Sequence, residues 1–423
     1  MNITKFEKIN ETLYHYVHPT GVNVYMVSKP GFTKFSASFS THFGSVDNSF
    51  VPIGNDETIV VPDGVAHFLE HKVFEQEDGT VIFEEFGKNG ASANAYTSFN
   101  LTNYYFWSTS NYEKNLETLI KFVQAPYFTK ENVEKEKGII GQEIGMYDDN
   151  PSWRCYFNLL QALYHIHPVR VDIAGTVNSI SEITEETLYT CYNTFYHPSN
   201  MFLCIVGDFD TEKILDVIDK SLKILPPEKP ISRSYPDEPQ GAKLHKVVQN
   251  LPVSTPMFCA GFKDNGIANE TNIAKRNAAV AIGMKILFGS SSDCDNDLYD
   301  EKLIVSHLST DYTAEDRSYA FAEISGESEN PEEVGNRILK AAKELEFTED
   351  DFRCAQNTLY GSALSALDDS ESYMQSLSRH FTLGFDMFES LQAILEVTPE
   401  DVRIICGEIF REENYCISII KNK

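Results

Sequence analysis

Two histidines and a glutamate lie close together in the segment His67-Phe68-Leu69-Glu70-His71. A helix turns about 100° per residue, so residues four apart share one face. The imidazoles of His67 and His71 would therefore point the same way, at the spacing of a zinc clamp. Glu70 lies beside them, and its carboxylate could take a proton from water without binding the metal. The segment predicts a metal site on a helix.

A catalytic zinc site takes three protein ligands and keeps one position open. The third ligand should be a carboxylate or a histidine on a nearby element. The predicted helix from Val133 to Tyr147 offers Glu136 and Glu143, which are seven residues apart and share a face after two turns. One of them can bind the metal while the other supports a ligand or the water. The spacing does not decide which glutamate has which role.

Other residues that bind metals or act as nucleophiles are less promising. His165-Ile166-His167 is followed by Pro168 and has no suitably spaced acid, so we expect a structural loop there. The eight cysteines are scattered, and no two of them form a Cys-x-x-Cys pair. We interpret them as reduced core residues.

The composition indicates a globular, acidic chain. Its 423 residues, 42% of them hydrophobic, suggest two to three domains with sizeable cores. A formal net charge of −28 repels phosphate backbones and anionic headgroups, which argues against nucleic acid and membrane surfaces as partners. No apolar run approaches the ~18 residues of a membrane span, and no apolar leader opens the sequence. We expect a cytoplasmic protein.

The chain contains two similar halves. A stretch rich in proline, Pro226 to Pro239, divides it near the middle and reads as a semi-rigid linker. Phe128-Thr129-Lys130-Glu131 before it matches Phe347-Thr348-Glu349-Asp350 after it, at an offset of 219 residues. Ile183-Thr184-Glu185-Glu186 matches Val397-Thr398-Pro399-Glu400 at an offset of 214. Each pair places a threonine before acidic residues, which is typical of a helix N-cap. The pattern predicts a duplicated α+β fold.

Within each half, strands should come first, followed by a helix, a strand, further helices and a closing strand. In the first half we expect Val22 to Val27 and Phe35 to His42 to form an antiparallel pair. Asp63 to Phe74 should be helical, Asn94 to Thr109 a strand, and Tyr112 to Gln124 an amphipathic helix. The expected organisation is an N-terminal zinc-binding catalytic half, a Pro-rich linker and a C-terminal metal-free half, at residues 1–225, 226–240 and 241–423.

The site residues resemble those of a known family. His67-x-x-Glu70-His71, followed after 71 intervening residues by Glu143 with Glu136 one heptad before it, is similar to the pitrilysin or insulinase-type metallopeptidases of family M16, the inverzincins. The resemblance implies that His67, His71 and Glu143 bind one Zn²⁺ per chain. It further implies that Glu70 is the general base, and that Glu136 supports the site without binding the metal.

The resemblance covers the whole chain. Asn94-Ala95-Tyr96-Thr97-Ser98-Phe99 resembles the family's substrate-pairing edge strand, which implies that Asn94, Ala95, Tyr96 and Thr97 bind substrate. Phe195 to Met201 resembles the lead into its last strand. Phe74 matches an aromatic residue that lines the cleavage pocket, although an ordinary core position is the alternative. The implied fold is the metallohydrolase fold of LuxS and the mitochondrial processing peptidase, with two α/β halves, each an antiparallel-rich sheet packed with helices, closing around a cleft.

The second half lacks the metal residues. The positions equivalent to Glu136 and Glu143 by the 219-residue offset are Ala355 and Ser362, and Asn277 to Gly289 contains no histidine pair. We therefore expect a single zinc site per chain.

One departure from the family concerns substrate activation. Single-chain members carry an Arg and, seven residues on, a Tyr in the second half, which donate to the oxyanion or the substrate carbonyl. Here the pair becomes Leu298 and Val305, or Tyr299 and Ser306. The chain thus resembles bacterial zinc-binding, processing-peptidase-like subunits that work beside an inactive paralogue, which supplies the Arg and Tyr. A heterodimer is expected, and if the chain acts alone the donors to test are Tyr299, Tyr312 and Arg317.

These observations favour a zinc endopeptidase that cleaves peptides or small unfolded polypeptides. The acidic charge suggests a preference for neutral or basic peptides. The alternative is a non-catalytic subunit that binds a peptide or assembles with a partner. A complete ligand set and an intact base argue against it.

Overall fold

The computed structural model describes residues 2–226, 230–316 and 318–423, with the backbone alone at residues 315 and 316. The chain divides into two compact units. Unit 1 comprises Met1–Ile144, Asp172–Ser234 and Ser365–Gly384, and unit 2 comprises Gly145–Val171, Tyr235–Leu364 and Phe385–Lys423. Each unit therefore draws on both halves of the sequence.

The first half of the sequence supplies nine strands and eight α-helices within the described residues. The strands are β1 (Asn2–Phe6), β2 (Glu11–Val17), β3 (Asn23–Ser28), β4 (Phe35–Thr41), β5 (Ser49–Phe50), β6 (Ile59–Val60), β7 (Ala91–Thr97), β8 (Thr102–Ser108) and β9 (Met201–Gly207). The helices are α1 (Val65–Val73), α2 (Ile82–Lys88), α3 (Tyr112–Val123), α4 (Lys130–Asp148), α5 (Pro151–Leu163), α6 (Val177–Ser181), α7 (Glu185–Phe195) and α8 (Thr211–Ser221).

Among its described residues, the second half repeats this order without counterparts of β1, β2, β5, β6 and α8. Its strands are β10 (Lys246–Asn250), β11 (Met257–Lys263), β12 (Ser309–Asp316), β13 (Tyr319–Glu327) and β14 (Tyr415–Lys421). Its helices are α9 (Ile273–Phe288), α10 (Asp293–Asp300), α11 (Pro331–Glu344), α12 (Glu349–Ser365), α13 (Ser370–Thr382), α14 (Met387–Glu396) and α15 (Pro399–Ile409).

The two main sheets have matching topology, which confirms the predicted α+β duplication. In unit 1 the strand order is β1-β2-β3-β9-β4-β8-β7, and in unit 2 it is β10-β14-β11-β13-β12. The pair β3–β9 is parallel, as is β10–β14, whereas β4 and β11 each run antiparallel to both of their neighbours. The closing strands β9 and β14 begin at residues 201 and 415, which reproduces the offset of 214.

Two strand predictions were wrong. β3 and β4 are not paired, because the closing strand β9 lies between them. All seven residues of β9 are buried, as a central position in a sheet requires. The segment expected as one strand from Asn94 to Thr109 is instead the hairpin of β7 and β8, closed by a hydrogen bond from Ser98 N to Leu101 O at 2.7 Å.

One helix of each half packs within the unit built mainly from the other half. In unit 1, α13 packs against β4 and β9, where Ser36 and Ser38 of β4 meet Ser370 and Ser378, each pair at 2.9 Å between hydroxyl oxygens. In unit 2, α5 packs against β11 and β14. The units defined by contacts are therefore not the contiguous segments 1–225 and 241–423.

Part of the predicted linker is fixed to unit 1. Residues 227–229 lie outside the described residues, but Ser232 and Ser234 exchange backbone hydrogen bonds with the chain around β5. Between them, Arg233 donates to Asp47 at 2.9 Å, and Asp47 is only 2% exposed. The described part of this segment therefore pairs with the backbone of unit 1 near β5, in addition to connecting the two halves of the sequence.

The remaining predictions on helices and cysteines can be compared directly. Thr184 and Thr398 cap α7 and α15 through their side chains, as predicted. Most of the cysteines are buried, but Cys354 is exposed on α12, so the core interpretation was wrong for it. None of the helices in the described part of the chain has both the length and the apolar character of a bilayer span.

Candidate metal centre

Helix α1 carries the two histidines, and its start is fixed by a tight backbone contact. Gly64, the residue before α1, has a φ of +89°, and a Cβ there would lie 2.4 Å from the carbonyl oxygen of Ala174. Only glycine fits both conditions. The apolar face of α1 is fully buried, including Phe68 and Leu69. The orientation of the histidines is thus set by packing.

Helix α4 carries the two glutamates. Ile140 lies between Glu136 and Glu143 along the helix and is fully buried, which turns that face of α4 inward. The side chains of Glu136 and Glu143 are 12% and 26% exposed. Both carboxylates face α1, as the heptad spacing predicted.

His67, His71 and Glu143 converge on one point. The Nε2 atoms of His67 and His71 lie 3.6 and 3.5 Å from the two carboxylate oxygens of Glu143, and the ligand atoms of all three residues lie within 4.8 Å of one another. Tetrahedral zinc with bonds of about 2.0–2.1 Å would separate its ligand atoms by roughly 3.3–3.4 Å. The three side chains therefore fit a zinc ion with little rearrangement.

Glu136 is positioned to orient His71. Its Oε1 lies 3.1 Å from His71 Nδ1, which leaves Nε2 of that ring directed at Glu143. Burial alone would lower the pKa of His71, but the hydrogen bond with Glu136 and the charges of Glu70 and Glu143 raise it. Burial would likewise raise the pKa of Glu136, yet His71 and the nearby Lys72 lower it. The geometry matches a carboxylate behind a metal-binding histidine.

His67 and His71 differ in the hydrogen bonding of their Nδ1 atoms. Nδ1 of His67 is buried and has no hydrogen-bond partner among the described residues, whereas Nδ1 of His71 contacts Glu136. A carboxylate therefore supports the ring of His71 but not, within the described residues, that of His67.

Glu70 lies beside the histidines and is held by one hydrogen bond. The hydroxyl of Thr97 donates to its Oε2 at 2.7 Å, and Glu70 is 9% exposed. Thr97 is the last residue of β7, so the proposed substrate strand and the proposed base are in direct contact. The other carboxylate oxygen of Glu70 makes no hydrogen bond within the described residues.

Strand β7 is the edge of its sheet and has a free backbone side among the described residues. Asn94 and Ala95 lie within it, and the Asn94 side chain accepts from the Ala95 backbone N at 2.9 Å. The Tyr96 hydroxyl donates to Gln375 of α13 at 3.0 Å, and Asn103 donates to the same oxygen at 2.9 Å. The hairpin is thus fastened to α13 while its outer edge stays open.

Phe74 directly follows α1 and belongs to an aromatic cluster. Its ring stacks on Phe83 at 4.7 Å and on Phe122 at 5.2 Å between centroids. Phe122 is buried, whereas Phe83 is 51% exposed. Phe74 therefore bridges the core and the surface, which is compatible with both roles considered for it.

Unit 2 has no equivalent centre among its described residues. His67, His71 and Glu143 form the single metal-compatible group found in the described part of the chain. The loop at His165 and His167 is structural, because the carboxylate of Glu238 accepts hydrogen bonds from three consecutive backbone N–H groups, those of residues 165–167, at 2.7–2.9 Å. Lys263 also donates to Glu238. Burial would raise the pKa of the Glu238 carboxyl, but the hydrogen bonds from Lys263 and from the backbone lower it to about 2.

The positions expected for Arg and Tyr donors are occupied by other side chains. Leu298 is buried and Val305 is 59% exposed. Tyr299 stacks on His307 at 4.8 Å, and His307 in turn contacts the buried Asp295 at 2.5 Å. Tyr312, one of the donors to test if the chain acts alone, donates its hydroxyl hydrogen bond to Asp264 at 2.6 Å. Arg317, another of them, lies outside the described residues.

Some residues near the centre were not found from the sequence. Lys72 and Gln375 were missed, as was the hydrogen bond from the Thr97 hydroxyl to Glu70; the expected contact of Thr97 with substrate stays a prediction. Lys72 could have been noticed, since the helix repeat places it on the apolar face of α1. Gln375 carries no such signal, because its partners are remote in sequence.

Two family models and a curated relative match this chain. Residues 60–177 match the family model described as insulinase, peptidase family M16, and residues 182–359 match that of the peptidase M16 inactive domain. A relative from Bacillus subtilis, named uncharacterized zinc protease YmfH, is 43% identical over 96% of this chain and 95% of its own length. The chain belongs to the M16 family of peptidases.

Solved structures show the same fold. A putative M16-like peptidase from Alicyclobacillus acidocaldarius is 34% identical, with a TM-score of 0.92 over 98% of this chain and 99% of its own. A protease from Helicobacter pylori has a TM-score of 0.80 at 19% identity over 97% of this chain and 99% of its own, which supports the fold alone. The metallopeptidase fold predicted from the site residues is confirmed.

Proposed function

We propose that the chain is a zinc-dependent endopeptidase subunit that cleaves peptides or small unfolded polypeptides. The observation that carries this proposal is the convergence of His67, His71 and Glu143 within 4.8 Å, with Glu70 beside them. Relatives named zinc proteases support it. A bound zinc ion would supply Lewis-acid chemistry, polarising a peptide carbonyl and acidifying water.

The side chains around the site have separate tasks in this proposal. Glu70 accepts the proton of the attacking water through the oxygen that Thr97 leaves free, and later delivers a proton to the leaving amine. Glu136 holds His71 in one tautomer. An extended peptide adds to the free edge of β7 along Asn94 to Thr97, where backbone hydrogen bonds fix its register. Phe74, with Phe83, offers an apolar surface for a substrate side chain.

We further propose that a paralogous subunit supplies the missing donors. Losing one preorganised donor costs about 10²–10³ in rate, and neither register of this chain offers an Arg and a Tyr seven residues apart. The isolated chain should then bind zinc but cleave peptides slowly. The same absence favours the alternative of a non-catalytic peptide-binding subunit, so activity must be measured with and without the partner.

Two measurements test the proposal. Elemental analysis should find one zinc ion per chain in the wild type and much less in His71→Ala, and undiminished zinc in that variant would refute the ligand assignment.

Titration with a paralogue that lacks His-x-x-Glu-His but carries the Arg and Tyr should raise the cleavage of a quenched peptide library to a plateau near one to one. Mutating the partner's Arg should abolish the gain without changing zinc content. Equal rates for the isolated chain and the mixture would refute the shared site, and no cleavage by either would favour the non-catalytic role.

A further inference from the structure

A lysine occupies a buried position beside the candidate metal centre. Lys72 directly follows His71 on α1, and its side chain is 1% exposed. Phe68 and Leu69, one turn before it, are fully buried, so position 72 belongs to the apolar face of the helix. Burying an ammonium group costs free energy, and replacing a buried ion pair by apolar residues is often neutral or stabilising. Stability alone therefore does not account for a lysine here.

The Lys72 ammonium faces two carboxylates. It contacts Glu75, whose side chain is 42% exposed and well solvated. It also lies 3.6 Å from Oε2 of Glu136, which is 12% exposed and depends more on protein partners. The other oxygen of Glu136 lies 3.1 Å from Nδ1 of His71. Lys72, Glu136 and His71 thus form a continuous row that ends at the metal-facing nitrogen of His71.

We propose that Lys72 is a positioning residue for the metal centre. Its charge holds the Glu136 carboxylate between the ammonium and His71, and Glu136 in turn fixes the ring with Nε2 directed at the metal position. Without the ammonium, the Glu136 carboxylate can rotate toward solvent or toward the metal. The inference rests on the proposed zinc site and adds a residue to it.

Removing Lys72 has two effects of opposite sign. Loss of positioning weakens metal binding, and supporting residues of this kind are typically worth 10–100-fold in metal affinity. Loss of a positive charge reduces repulsion of a dication, which strengthens binding. That repulsion acts over a longer distance than the contact with Glu136, because Glu136 and His71 lie between the Lys72 ammonium and the metal position. We expect the positioning effect to dominate. A lower zinc affinity in the variant would indicate positioning, and a higher affinity would indicate charge repulsion.

The test compares zinc affinities of full-length variants by competition with a chromophoric chelator. Lys72→Met keeps the length and the apolar packing of the side chain and should raise the zinc Kd about 10-fold or more. Lys29→Met is the matched control, since Lys29 is also a mostly buried lysine of unit 1, paired with Glu11 on β2. It should leave the Kd unchanged. Lys72→Gln is a second neutral variant in case Lys72→Met folds poorly, and thermal unfolding verifies the fold of each protein.

Combination with Glu136→Gln tests the route of the effect. If Lys72 acts through Glu136, Lys72→Met should cause no further loss in the Glu136→Gln background. Glu75→Gln should leave the Kd unchanged, because within the described residues Glu75 pairs with Lys72 and not with Glu136 or His71. The visible spectrum of the cobalt-substituted protein should change in Lys72→Met and not in Lys29→Met, since it reports ligand geometry.

Several results would overturn the inference. An unchanged or lower zinc Kd in both Lys72 variants would show that positioning is unimportant. A full additional loss in the double variant would show that Lys72 does not act through Glu136. A wild-type chain that binds no zinc would instead overturn the proposed function, and the inference with it, so the two failures are distinguishable.

Discussion

Unit 2 should lose stability when the pH falls below the ordinary pKa of histidine, because His167 is buried in its neutral form. Its side chain is fully buried, and its Nδ1 accepts a hydrogen bond from the Val169 backbone at 3.1 Å. Burial lowers the pKa of His167 to about 4, despite the nearby Glu238 carboxylate and with a small contribution from Lys263. The perturbation to test is His167→Asn, whose carbonyl oxygen can accept the same bond without titrating.

The size of the effect follows from linkage. The unfolded chain takes up a proton at His167 near pH 6.5, whereas the folded chain does so only near pH 4. Between these values the unfolded state binds more protons, so the free energy of unfolding falls as the pH falls. Between pH 7 and pH 5 this single residue should remove about 2 kcal/mol.

The assay is urea unfolding at both pH values, with hydrogen exchange of the β13 amides to follow unit 2. His167→Asn should be less stable than the wild type at pH 7, because the ring packing is lost. Its further loss between pH 7 and pH 5 should be about 2 kcal/mol smaller than that of the wild type. Equal losses in the two proteins would refute the reasoning, since they would mean that His167 is not held neutral by burial.

Three further predictions concern the centre and its support. Glu70→Gln should keep wild-type zinc content but lower the turnover of the active assembly by at least ~10², as expected for a general base; wild-type turnover would exclude Glu70 as the base. Thr97→Val should lower turnover about tenfold or more at unchanged zinc content, whereas Thr97→Ser should retain it, because only the hydroxyl reaches Glu70. Arg233→Gln should destabilise unit 1 by about 1–3 kcal/mol in urea unfolding, since it removes the charged donor to the buried Asp47 carboxylate; unchanged stability would restore the view of this segment as a simple linker.

The convergence of the candidate metal ligands was predictable because their geometry is local. His67 and His71 are four residues apart, and Glu136 and Glu143 are seven apart, so the helix repeat alone decides which side chains share a face. Spacing alone left open the role of each glutamate, and the assignment of Glu143 as ligand and Glu136 as support came from the family resemblance. The distances now favour Glu143 as the ligand and Glu136 as the support of His71.

The strand pairing was less predictable because it is non-local. The alternation in β3 and β4 identified two strands correctly, but periodicity carries no information on which strands are neighbours. The strand that separates them, β9, begins at Met201, far along the chain. The packing of α13 was unpredictable for the same reason. The apolar face of a helix shows that the helix is packed on one side, but not which sheet it packs against.

The asymmetry between the two units shows why fold and activity must be argued separately in this family. α9 takes the place of α1 in the order of elements, yet it is a core helix in which Ala278, Ala279 and Val280 are buried. α12 takes the place of α4 and has Ala355 and Ser362 where α4 has its glutamates. The duplicated topology survives these differences because it depends on buried apolar surface, which both versions provide. A metal site of the kind proposed here depends instead on three ligand side chains and the groups that support them, so similarity of fold to a relative does not by itself establish activity. The zinc content and the peptide cleavage of this chain must therefore be measured on this chain.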